Sequence, residues 1–202
     1  MNKKSIIISV AFVVLVILIS GAFEINRPTE DKGAYFTFTD SESNIVELSK
    51  KPQKVAVLFS SLAECWLEAG GEIYATVGET VERNFAPEGT ALVDKGAGKT
   101  IDNEKLIYLK PDFVICSADI ASHKETARLL KKAGVPVALM RMDTFEDYLK
   151  ILKVFTEITG NTESYKQYGE GTKNEIEKII AEEKRTDEPK ILFIRSGSSS
   201  SS

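Results

Sequence analysis

The chain has 202 residues, 43% of them hydrophobic and 28% charged, with a net charge of −4. That size accommodates one or two globular domains, and a mildly acidic balance without a basic stripe argues against nucleic acid as the main partner. The only two cysteines, Cys65 and Cys116, each sit inside an apolar run, where a free buried thiol is the expectation even for an exported domain.

The N-terminus reads as a targeting segment. Met1-Asn2-Lys3-Lys4 is basic, residues 5–20 are apolar, and Ser20-Gly21-Ala22 supplies small residues at the spacing a signal peptidase accepts. Residues 1–22 are therefore an export signal or an uncleaved anchor, since the apolar run is near the lower limit for a span. Either way the folded part is expected outside the cytoplasm, in the periplasm or at the outer face of the membrane. Phe23 stands where a lipoprotein signal would carry Cys. Residues 23–34, polar with Pro and Gly, are a linker.

Two short alternating runs, "YFTFTD" and "NIVEL" around "SESN", predict a β-hairpin. From "VAVLFSS" onward the pattern alternates. "LAECWLEAGG" is a helix stopped by Gly70-Gly71, and "IYATVGE" is a strand. "DNEKLIYL" is a helix capped by Asp102, and "DFVICSAD" is a strand. "SHKETARLLKKAG" is a helix capped by Ser122, and "VPVALMRM" is a strand. Uninterrupted apolar strands alternating with helices predict an α/β fold, a three-layer lobe with a parallel sheet over residues 35–143. Residues 144–186 then read as a helix pair. The first helix is capped by Thr144 and ended by Gly160, and the second is long, charged and weakened by Gly169 and Gly171. Residues 189–202 hold one more apolar strand, as expected of the incomplete start of a further lobe.

In an open parallel sheet, ligands sit outside the C-terminal ends of the strands. The residues predicted at that rim are Phe59, Ser60 and Ser61, then Glu79 and Arg83, Ser117 and Asp119, and Arg141. Arginines suit oxygen-rich anions through their planar two-pronged donation. Phe59 and Phe85 are candidates for apolar contact, whereas Tyr108 reads as core. "GAGKT" imitates a phosphate-binding loop, but Val93 occupies the position of its leading Gly. A flexible loop facing the cleft, with Gly96 and Gly98 admitting backbone and Lys99 adding charge, is the better reading. A nucleotide-binding domain or enzyme using that loop, and a membrane-anchored interaction module without a small ligand, are the alternatives. His123 is the single histidine and reads as a solvated residue in a helix's first turn. One His and no paired cysteines do not assemble a bare transition-metal site. With one His there is no persuasive catalytic triad, and no catalytic residue, cofactor or resident metal is assigned.

The order of hairpin, "VAVLFSS", "NEKLIYLKPDFVI", "LLKKAGVPV" and a helix with "ITGN" resembles the N-terminal lobe and backbone helix of a known cluster. These are the ABC-transporter substrate-binding proteins for siderophores, haem and cobalamin. The resemblance runs from Tyr35 to Arg195. It implies two lobes joined by one long helix, with an iron chelate or tetrapyrrole bound in the cleft between them. It also implies a permease partner met by a surface carboxylate, for which Glu104 is the match, and a monomer. Arg195 would lie on the first loop of the second lobe, most of which this sequence lacks.

Overall fold

The computed structural model describes residues 33–87, 89–94 and 100–183, together with Lys190 and Leu192. The expected targeting segment, most of the linker, Gly96, Gly98, Lys99, Arg195 and the apolar run at 191–194 lie outside the described residues, apart from Leu192.

The described residues open with an antiparallel hairpin, β1 (Phe36–Thr39) and β2 (Ile45–Leu48). A parallel sheet follows, built from β3 (Val55–Val57), β4 (Ala75–Thr76), β5 (Ala91–Leu92), β6 (Phe113–Ser117) and β7 (Val137–Met140). Its spatial order is β5-β4-β3-β6-β7, with every neighbouring pair parallel. Between the strands lie α1 (Ser60–Glu68), α2 (Gly78–Glu82), α3 (Asn103–Leu109) and α4 (Ala121–Lys132). The expected α/β lobe with its hairpin is the fold observed.

The uninterrupted apolar strands have a simple cause: both faces of the sheet are covered, and successive side chains feed opposite cores. Val55, Val57, Phe113, Ile115, Ala138 and Met140 pack with Leu62 and Trp66 of α1 and with Leu152 and Phe155 of α5 (Phe145–Thr159). Ala56, Leu58, Val114, Cys116, Val137 and Leu139 point the other way, onto Leu106 of α3 and Ala127 and Leu130 of α4. Each fully buried Leu or Phe here contributes roughly 1.5–3 kcal/mol. The two cysteines are free, and Cys65 belongs to the first core while Cys116 belongs to the second. The sheet itself separates them.

The hairpin is fastened to the β7 edge by one buried carboxylate. Asp40 accepts from the N–H groups of Glu42 (3.0 Å), Asn44 (2.8 Å) and Leu139 (3.1 Å), and from the Asn44 side-chain amide. Ser41 completes the seam, donating its N–H to the Leu139 carbonyl and accepting from the Arg141 N–H. An otherwise open strand edge is thereby covered.

Helix ends follow the expected signals in part. The Asp102 side chain caps α3 by accepting from the Lys105 N–H. Thr144 and Asp147 form a reciprocal capping box at the start of α5, and Gly160 ends that helix with φ 79°. Ser122 is not a cap: Ile120 holds the N-cap position of α4 without a side-chain bond, and Ser122 lies in the first turn. Gly71 is required for a different reason. A Cβ there would stand 2.1 Å from the Trp66 indole, whose N–H donates to the Glu72 carbonyl.

The last helical stretch runs from Thr162 to Glu182, with helical backbone at every junction. It comprises α6 (Thr162–Ser164), a π-helical segment at Tyr165–Gly171, and α7 (Thr172–Glu182). The weakening expected at Gly169 and Gly171 takes this form, a widened turn rather than a break.

Candidate functional site

The strand order reverses direction at β3: the chain builds outward to β4 and β5 on one side, then returns to β6 and β7 on the other. After β3 it crosses to the α1 face, and after β6 to the α4 face, so the connections part and leave a crevice between them. Two helix N-termini, those of α1 and α4, adjoin it. Their N-cap residues, Phe59 and Ile120, make no side-chain bond to the first-turn amides. The positive end of each helix dipole favours an anionic group there.

Two charged clusters occupy the rim. In the first, the buried Ser60 hydroxyl donates to Glu79 Oε1 at 3.1 Å, and Arg83 Nη2 lies 3.0 Å from the same oxygen. Glu79 and Arg83 remain substantially exposed, at 38% and 52% of their side chains. In the second, Arg141 Nε donates to Asp119 Oδ1 at 2.7 Å and Nη2 to Glu42 Oε1 at 3.0 Å, while Lys124 sits 3.1 Å from Glu42 Oε2. The bond to Asp119, foremost, holds the Arg141 guanidinium even more firmly protonated than usual. Beside this cluster a shallow hollow of about 330 Å³ opens among Ser41, Met140, Arg141, Asp147 and Lys150. A more enclosed cavity of about 190 Å³, lined by Lys51, Trp66, Glu72 and Thr159, lies at the opposite end of the sheet, beside the first residue of β3.

Several expected positions shift in detail. Ser60 and Ser61 begin α1 rather than end β3, and Gly78 and Glu79 begin α2, because β3 and β4 are shorter than their apolar runs. Ser117 is buried: its N–H donates to His123 Nδ1 at 3.1 Å, and its hydroxyl accepts from the Asp119 N–H. His123 is thus a fully buried residue and not a solvated one. The Ser117 N–H fixes Nδ1 as the unprotonated nitrogen, and burial lowers the imidazole pKa to about 4. Its Nε2, like the buried Thr80 hydroxyl, has no hydrogen-bond partner among the described residues. Tyr108, expected in the core, is 83% exposed on the outer face of α3. Glu104 lies in the exposed first turn of α3.

Glu42 and Lys124 were not legible as rim residues. Glu42 sits in the hairpin turn, and only the docking of that turn on β7 brings it to Arg141. The phosphate-loop reading has a strand ahead of it, since β5 ends at Leu92, but it lacks the helix that should follow the loop directly. Asp94 and Ile101 form an antiparallel bridge, and the next helix begins only at Asn103, with the Asp102 carboxylate already on a first-turn amide. Among the described residues, no three His, Cys, Asp or Glu side chains are grouped to hold a metal ion. No helix among them is long and apolar enough to cross a membrane.

The sequence model of the periplasmic binding protein family matches residues 55–201. The chain belongs to that family. Among curated proteins it is similar to an uncharacterized ABC transporter substrate-binding lipoprotein, YvrC, of Bacillus subtilis, with 27% identity over 164 residues, covering 78% of this chain and 51% of that protein. Its fold is similar to that of the iron uptake ABC transporter substrate-binding protein PiuA from Streptococcus pneumoniae, with TM-score 0.63 and 19% identity over 78% of this chain and 56% of that one. It is similar also to the siderophore-binding protein BauB, solved with acinetobactin and ferric iron, with TM-score 0.62 and 15% identity over 75% of this chain and 55% of that one. The chain therefore spans about half the length of these periplasmic binding proteins.

Proposed function

We propose that this chain supplies one lobe and the connecting helix of a solute-binding protein that serves an ABC importer. Its cargo class is an iron-siderophore, haem or cobalamin-like chelate, captured without covalent chemistry and handed to the permease outside the cytoplasm. The observation that carries this reading is the crevice at the strand reversal, where the N-termini of α1 and α4 meet exposed charge of both signs. Chelates of this class present carboxylate or other anionic oxygens, which backbone amides and guanidinium forks recognise.

In this reading Phe59, Ser61, Glu79, Arg83, Asp119 and Arg141 form the half-site on this lobe, with Ser60 holding Glu79 in place. Gly96, Gly98, Lys99 and Arg195 are proposed to complete it. Glu104 is proposed to meet the permease, and the binding unit acts as a monomer. The names of YvrC, PiuA and BauB support the transport role.

The test is a thermal-shift and calorimetric screen with ferric siderophores, haem, cobalamin and ATP with Mg. Trp66 is unsuited as a fluorescence reporter, because it is buried at the end of the lobe remote from the crevice. The expected result is a response to one chelate class that Arg83→Ala weakens at least tenfold. A response to ATP with Mg alone overturns the proposal in favour of the nucleotide reading.

A further inference from the structure

The long helix is not one uniform rod. Up to Gly169 it is seated on the lobe: Ser164 and Gly169 are buried, and a Cβ at Gly169 would stand 3.2 Å from the Tyr165 ring and 3.4 Å from Leu149 of α5. Beyond Gly171 the seating ends. None of the residues of α7 is buried, and Ile176, Ile179 and Ile180 are 38%, 61% and 68% exposed. The π-helical segment spans this boundary between the held and the unheld part.

Within the segment Tyr165 still packs against the first core, and the restraint weakens toward the C-terminal end. The segment's side-chain bond to the lobe from Tyr148 is the weak one of two. The Tyr148 hydroxyl has a single hydrogen, and it lies 2.9 Å from Glu68 Oε2 but 3.4 Å from the Tyr168 carbonyl. Two glycines within seven residues remove the side chains that would stiffen the backbone. At Gly171 a Cβ would stand 3.3 Å from the Lys166 carbonyl, the acceptor five residues back. A side chain there favours the tighter α-helical register over the π-helical one.

From these observations we infer that Tyr165–Gly171 is a pivot, at which α7 reorients as an intact helix relative to the lobe by exchange between π- and α-helical registers. The pivot itself follows from the helix alone. Its role in lobe motion around a captured ligand rests on the function proposed above. A continuous connecting helix would otherwise permit little closure, and a π-helical turn at the edge of the seated region supplies a defined place for it.

The test uses the chain from Met1 to Ser202 with spin labels on introduced cysteines, the native Cys65 and Cys116 being buried. Double electron–electron resonance distances are measured for two pairs sharing one origin in the hairpin, Glu47→Cys with Glu163→Cys and Glu47→Cys with Lys178→Cys. Hydrogen exchange of α7 amides is followed in parallel. The expected result is a distance distribution for the second pair at least twice as wide as for the first, with α7 amides still protected. Gly171→Ala is expected to narrow the wide distribution and move its mean. Equal widths overturn the proposal. So does a wide distribution with unprotected α7 amides, which is fraying, or one that Gly171→Ala leaves unchanged. None of these readouts involves a ligand, so the pivot and the transport role fail separately.

Discussion

Removing the Asp40 carboxylate is expected to loosen the whole hairpin while leaving the parallel sheet intact. In Asp40→Ala the buried Leu139 N–H loses its acceptor, at a cost of about 1–3 kcal/mol for an unsatisfied donor. The Glu42 and Asn44 amides also lose a charged acceptor, but the turn is partly open and water replaces most of that, leaving roughly 1 kcal/mol. The sum, about 3 kcal/mol, corresponds to a fall in Tm of roughly 10 °C for a domain of this size. Asp40→Asn separates the two contributions. Its single carbonyl oxygen can keep the turn amides, but its NH2 group then faces the Leu139 N–H, donor against donor. Circular dichroism melts and urea titrations of the three proteins measure this, with proteolysis between β2 and β3 as a local readout. If Asp40→Ala melts within about 2 °C of the unaltered protein, the carboxylate is not the fastening and the argument is wrong.

Further expectations can be checked with the same methods. Gly71→Ala forces a Cβ onto the Trp66 indole and is expected to cost about 2–4 kcal/mol in urea unfolding; a neutral result would mean the loop moves freely. His123 has a folded pKa of about 4 against an ordinary 6.5, so the unfolded chain takes up a proton that the native one refuses. Stability should therefore be full above pH 6.5 and fall as pH drops through the window from 6.5 to 4, by roughly 3 kcal/mol in total. His123→Gln should flatten that part of the pH profile, and an unchanged slope would assign it elsewhere. Burial pushes the Cys116 thiol up to about 12 and raises Cys65 as well, so neither should react with a thiol reagent until the protein is denatured. Fast labelling of either in the native state would contradict the two-core packing.

Much of the architecture was readable because one physical rule dominated it. Runs such as "FVICS" and "VALM" have no polar face, so they had to be strands sandwiched between helices, and they are. The capping of α5 by Thr144 and its end at Gly160 were equally local signals. Where the sequence misled, long-range packing decided. The apolar runs around Val77 and Phe59 continue past the strands into helix starts, because the sheet needs only two or three residues there. β5, only Ala91–Leu92, carries no run long enough to stand out. His123 looked like a first-turn surface residue, since nothing local announces that the Ser117 amide waits beneath it. At the rim, the residue types of Glu79, Arg83, Asp119 and Arg141 were visible, but not their pairing. That pairing depends on which loops the fold sets side by side.

The central position of β3 also shapes how the lobe comes into being. Its neighbour β6 lies far along the chain, the two strand entrances at Lys54 and Asp112 being 58 residues apart. During synthesis β3 therefore emerges with one flank unmatched and stays so until α3 and β6 have followed. Non-local parallel pairing of this kind is intrinsically slow to form. Until β6 arrives, the open flank of β3 is the edge most exposed to wrong pairing, and the core strand of the lobe is completed only when most of the sheet has been made.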